Sequence, residues 1–193
     1  MKKLDILFVD WGLSKVDIEN ILSEIIGFEI FNFPNLLRKE LQNKSKLSEE
    51  IQEELNSGEL LNNKLIEKFI TKNLKEKPEA LLLTYYPNIV EQFSVLKKIL
   101  LDENIALNKI WYFKIRNQKE FMKHHFEVSI NQKHLDKYGE EITNDWINRF
   151  EERRKNFDNI KSAANSVEWT DIEIDYVSDL TVEYLRKRIK DCA

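Results

Sequence analysis

Apolar residues in this chain come either in short, nearly continuous blocks or at every third and fourth position. Residues 4–9, Leu4-Asp5-Ile6-Leu7-Phe8-Val9, form one such block. It is too short for a helix and apolar enough for a strand buried on both faces. Residues 16–26 then place Val16, Ile18, Ile21, Leu22, Ile25 and Ile26 mostly at helical spacing, and Gly27 stands where a helix C-cap belongs. The same reading predicts further strands over 28–31, 80–83, 109–115 and 167–174. It predicts helices over 34–43, 47–56, 62–74, 89–101, 140–163 and 180–189. Residues 116–138 are polar, with clustered Lys and His, and read as a loop or inserted lobe. Short apolar strands alternating with helices imply parallel pairing under helical cover. The expected fold class is therefore α/β, a five-stranded parallel sheet with helices on both faces.

Composition narrows the function classes. Hydrophobic residues make up 42% of the 193, enough for a sizeable core. The net charge is −4, with 30 Lys and Arg against 34 Asp and Glu, so the chain lacks the basic footprint of a nucleic-acid binder. No apolar run approaches the roughly 20 residues that span a bilayer, so membrane insertion is not expected. Asp5 and Asp10 interrupt the apolar stretch after Met1-Lys2-Lys3, which argues against a secretory signal. The single cysteine, Cys192, offers neither a disulfide framework nor a Cys-based metal site, and suits a cytoplasmic location. His124, His125 and His134 lack Cys partners and zinc-type spacing, so they read as exposed histidines and no metal site is assigned.

Candidate chemistry concentrates where the first strand meets the first helix, because open α/β sheets bind ligands beyond the carboxyl ends of their strands. That turn reads Val9-Asp10-Trp11-Gly12-Leu13-Ser14-Lys15-Val16-Asp17. Gly12 permits a tight turn, and Lys15 at a helix start is placed to meet a phosphate held by backbone N–H groups. The G-x-x-x-x-G-K-[ST] pattern is not met, since Val9, Ser14 and Val16 stand where other residues are wanted.

Spacing across most of the chain carries a more specific signal. Gly12 and Lys15 fall in register with G-x-P-G-x-G-K-G-T. After Gly27 come Asn32-Phe33-Pro34-Asn35-Leu36-Leu37-Arg38, against S-T-G-D-x-L-R. Gly58-Glu59-Leu60-Leu61-Asn62-Asn63-Lys64-Leu65 then stands against G-x-L-V-x-D-x-L, and Thr84-Tyr85-Tyr86-Pro87-Asn88 with Gln92 against D-G-F-P-R and its following Gln. In these features the chain resembles the adenylate kinase (nucleoside monophosphate kinase) family. The resemblance implies a core over 1–31, 63–116 and 139–193, a helical monophosphate-binding insertion over 32–62 and a lid-like insertion over 117–138. It gives the phosphate-binding loop to Gly12, Ser14 and Lys15, with Lys15 on the phosphates. Arg38 would grip a monophosphate, Leu60 and Leu61 would floor its site, and Gln92 would read its base. Arg149 and Arg153, four apart on one helix, would reach the transferring phosphoryl group.

The departures from the pattern all weaken phosphotransfer. Three loop glycines are replaced by Val9, Ser14 and Val16, whose side chains hinder backbone approach to phosphate. Asp17 stands in place of the Thr that holds Mg²⁺, and Asp10 adds a second carboxylate. A carboxylate 4 Å from a phosphate oxyanion costs about 4 kcal/mol at an effective dielectric near 20, before screening. Thr84 replaces the D-G-F-P-R carboxylate and Asn88 its Arg. The expectation is an adenylate kinase-like protein with an eroded phosphotransferase site, at most weak ATP and Mg²⁺ binding, and action through a protein partner or assembly. The alternative is an active kinase moving the γ-phosphoryl of ATP to AMP or another nucleoside monophosphate.

Overall fold

The computed structural model describes all residues except 59–60, 76–78, 118–120, 122–131, 175–180 and 193, and over 132–143 it describes the backbone alone. Five strands form one parallel sheet: β1 (Lys3–Val9), β2 (Glu29–Asn32), β3 (Ala80–Thr84), β4 (Ala106–Ile115) and β5 (Glu168–Ile174), in the order β2-β3-β1-β4-β5. Between them run α1 (Lys15–Ile26), α2 (Phe33–Gln42), α3 (Lys46–Asn56), α4 (Asn63–Lys75), α5 (Val90–Asp102) and α6 (Gln132–Ala163), and α7 (Val182–Lys190) follows β5. Every strand pair is parallel, as the alternation predicts, with Leu7 opposite Thr84 on one side and Val9 opposite Phe113 on the other.

The alternation of side chains along β1 divides the core. Leu4, Ile6 and Phe8 point to one face, where Phe69, Phe93, Leu96, Phe157 and Ile160 cover them. Leu7 and Val9 point to the other, against Ile18, Ile21 and Leu22 of α1, Phe150 of α6 and Leu185 and Ile189 of α7. Each fully buried Leu, Ile or Phe contributes about 1.5–3 kcal/mol of transfer free energy, so both faces anchor the central strand. Asp5 shares the second face. Its buried carboxylate accepts from Trp111 Nε1 (2.7 Å) and Asn108 Nδ2 (2.8 Å), while burial raises its pKa.

Local chemistry sets the helix ends. Gly27 closes α1 at φ 73°, a left-handed position that glycine occupies without strain. Asn32 caps α2, its side chain accepting from Asn35 N with a proline in the first turn, and Ser45 and Thr181 cap α3 and α7 in the same way.

Two boundaries differ from the sequence pattern by three residues or more. Strand β4 starts at Ala106 rather than 109, because Ala106 and Leu107 pair with Lys3 and Leu4 before a register shift that leaves Asn108 as an extra residue. Helix α6 starts at Gln132 rather than 140, since its first turns are polar and carry little periodicity. The rest of 117–138 lies largely outside the described residues, as do His124 and His125 and the side chain of His134. No helix of the described residues is long and apolar enough to cross a membrane.

Candidate functional site

The order β2-β3-β1-β4-β5 places β1 and β3 side by side while their chains leave in different directions, which opens a crevice beyond their carboxyl ends. Two loops face each other there, 10–14 after β1 and 85–89 after β3. Gly12 turns the first loop at φ 98°, and a Cβ at that position would overlap the Phe121 ring. Ser14 is the exposed N-cap of α1; its side chain makes no capping bond, and its carbonyl accepts from Ile18 N at 3.1 Å.

Lys15 opens α1 and turns into the crevice. Its Nζ sits 3.7 Å from the centroid of the Tyr85 ring, within the range of a cation–π contact. Burial lowers its pKa to about 7, with nearby Arg153 adding to the effect and Glu19 opposing it. Glu19, one turn on in α1, is 6% exposed. Burial raises its pKa, and Asn32 Nδ2 donates to it at 3.3 Å. The Thr84 hydroxyl, fully buried, acts on the same carboxylate without closing a hydrogen bond.

A run of polar contacts continues from Glu19 to α2. Asn32 caps the helix through Asn35 N (3.1 Å), and Asn35 Oδ1 accepts from Arg38 (2.7 Å). Arg38 is exposed on α2, yet its charge is felt by the Tyr85 hydroxyl, as are those of Glu19 and Arg153. Tyr85 has φ 68°, a backbone state that costs an ordinary side chain about 1–2 kcal/mol. Burial raises the pKa of its phenol.

The two arginines predicted on α6 share one wall. Arg149 and Arg153 line a pocket of about 290 Å³ with Trp11 and Trp146, whose rings meet at 4.0 Å. Arg149 is mostly exposed and pairs with Asp145 at 3.0 Å. Arg153 lies over the Phe157 ring, its buried Nε has no hydrogen-bond partner among the described residues, and burial lowers its pKa. Gln92 uses its side-chain oxygen to hold Asn88 N (2.8 Å), and its carbonyl accepts from the Tyr86 hydroxyl (3.0 Å), so it braces the second loop. Leu61 is half-buried and packs against the core cluster that includes Phe31, Ile51 and Phe69, and Leu60 lies outside the described residues.

Asp10 departs from expectation. Instead of facing a ligand it is buried, accepting from the Tyr112 hydroxyl (2.8 Å), Ile115 N (2.9 Å) and the Arg154 guanidinium at Nε (3.0 Å) and Nη2. Its charge is neutralised there, so the repulsion expected from it does not apply and falls to exposed Asp17 alone. Val9 also differs, because its side chain is turned into the core rather than toward the loop. Sequence reasoning missed Glu19, although it lies one turn from Lys15 on the same helix face. It missed Tyr85 and Arg154 as well.

No protein-family model matches the chain. An adenylate kinase of Prochlorococcus marinus (strain MIT 9515) is 27% identical over 97 residues, 50% of this chain and 53% of that protein. Another, from Prochlorococcus marinus subsp. pastoris, is 26% identical over 118 residues, 61% of this chain and 64% of the relative. The adenylate kinase of Buchnera aphidicola subsp. Cinara cedri is 31% identical over 103 residues, 52% and 48% of the two chains. The matched segments thus span 53%, 64% and 48% of the relatives' lengths. The chain is adenylate kinase-like in sequence, and its parallel sheet is consistent with the nucleoside monophosphate kinase-like α/β fold.

Proposed function

We propose that this chain is an adenylate kinase-like protein that keeps a nucleotide-type cleft and has lost efficient phosphotransfer. The observation that carries the reading is Lys15. Its side-chain nitrogen rests on the Tyr85 ring, 3.7 Å from the centroid, and burial brings its pKa down to about 7. A lysine turned onto an aromatic ring and desolvated there is withheld from a triphosphate, and with it some of the charge stabilisation on which phosphoryl transfer depends. The Phe121 ring against Gly12 and the carboxylate of Asp17 in the first turn of α1 support the same reading.

Mg²⁺ fits this donor set poorly. Asp10 is committed to Arg154, Asp17 stands where the resemblance asks for a hydroxyl, and Thr84 stands where it asks for a carboxylate. Arg38, Leu61 and Gln92 are the residues we assign to the monophosphate side, Lys15 with Gly12 and Ser14 to the phosphate loop, and Arg149 and Arg153 to the α6 wall. Function would then run through a protein partner or assembly in the cytoplasm. A coupled assay with ATP·Mg²⁺ and each nucleoside monophosphate tests the proposal. Turnover within tenfold of a working kinase's usual ~1–100 s⁻¹ would overturn it.

A further inference from the structure

Charged groups from three helices converge on one side chain. Lys15 and Glu19 come from α1, Arg38 from α2 and Arg153 from α6, and all four act on Tyr85. Tyr85 itself sits in the left-handed region at φ 68°, where glycine or asparagine is favoured and a bulky aromatic residue is strained. An aromatic ring held in an unfavourable backbone state, within the field of two arginines, calls for a compensating contact. The Lys15 ammonium at 3.7 Å supplies one. The buried Arg153 Nε has no partner among the described residues, so this cation, whose field reaches both Lys15 and Tyr85, is not fully satisfied by the protein.

We propose that Tyr85 is a specificity-determining residue of this cleft: its ring occupies the Lys15 ammonium, and an inorganic polyphosphate can engage Lys15 and Arg153 together only when that ring is displaced. The proposal deepens the reading of an eroded phosphotransferase cleft by naming a residue that keeps the anion out. The physical logic is competition. Lys15 has one ammonium, and donors turned to a π face are withheld from an oxyanion. A ring in van der Waals contact with that ammonium also excludes the oxyanion from the same side. Without the ring, Lys15 regains water and a phosphate oxygen as partners, and Arg153 offers a planar fork to the same anion.

Pyrophosphate without metal is the probe, titrated by calorimetry into the unaltered chain and into Tyr85→Gly, Tyr85→Asn and Tyr85→Phe. Glycine and asparagine both suit the left-handed backbone while removing the ring, and phenylalanine keeps the ring and loses only the hydroxyl. The expected result is that the Gly and Asn variants bind about tenfold more tightly than the unaltered chain, with the Phe variant within about twofold of it. The Lys15 side-chain nitrogen, followed by NMR, should titrate higher in the Gly and Asn variants and remain near its original position in the Phe variant. Unchanged affinity in both ring-free variants overturns the proposal. So does tightening in the Gly variant alone, which would trace the effect to the backbone, or equal tightening in the Phe variant, which would trace it to the hydroxyl. A thermal melt of each variant confirms folding. Failure here is distinct from failure of the eroded-site reading, which is tested with ATP·Mg²⁺ on the unaltered chain.

Discussion

Arg153 and Arg154 are neighbours on one helix and have opposite fates. Arg154 reaches back to the end of β1, where it donates to Asp10 and to the Ile115 carbonyl (2.6 Å), closing a buried network that also holds Tyr112. Arg153, rotated about 100° around α6, lies beside Lys15 with its buried Nε unpaired among the described residues. One arginine is spent on the fold and its neighbour is left facing the cleft. Substitution at the first should therefore act on stability, and at the second on binding and titration.

The largest effect is expected from breaking the satisfied pair. Asp10→Ala removes the shared acceptor of the Tyr112 hydroxyl, Ile115 N and the half-buried Arg154, which keeps the Ile115 carbonyl, and should lower unfolding stability by about 3 kcal/mol in urea titration. Arg153→Ala should cost no more than about 1 kcal/mol, because it also removes a repulsion on Lys15. Equal losses at the two sites would erase the contrast.

The second effect concerns pH. Below the folded-state value of about 7 Lys15 is protonated in both states, and its burial weighs fully against folding. Between about 7 and 10.5 the unfolded chain keeps that proton while the folded chain has released it, so stability rises with pH. Tyr86 and Tyr112, both pushed above the ordinary phenol range by burial, stay protonated through this window. Lys15→Met should flatten the rise and add on the order of 2 kcal/mol at pH 7. A rise of the same slope in the variant would assign it to other groups.

A smaller effect is expected on the monophosphate side. AMP should raise the melting temperature by mass action, and Arg38→Ala should abolish that protection. Arg186→Ala, which loses only the exposed pair with Glu24, should leave it intact. Smallest of all, Arg149→Ala should change stability by less than about 0.5 kcal/mol, since its pair with Asp145 is solvent-exposed. Chemical denaturation of that variant measures it.

Most of the fold was legible because central strands buried on both faces leave short apolar blocks, continuous at Ala80–Leu83 and broken only by Asp5 at Leu4–Val9. The bulge at Asn108 was not, because it depends on register against β1 rather than on local pattern. Gly12, Lys15 and the α6 arginines were visible through spacing, and the structure gathers them at one end of the sheet. What escaped was partner choice. Nothing near Asp10 in sequence indicates a guanidinium 144 positions away, and a tyrosine in a left-handed turn leaves no local signature at all. Both carboxylates of the loop read alike in sequence, yet burial gives Asp10 a structural role and leaves Asp17 at the surface.

The central claim is that an adenylate kinase-like fold here stands without a working triphosphate loop. Calorimetric titration of the unaltered chain with ATP·Mg²⁺ at neutral pH tests it most directly. The account predicts no saturable heat below millimolar concentration. Saturable binding at micromolar concentration would show that Lys15 reaches a triphosphate despite Tyr85, and would contradict it.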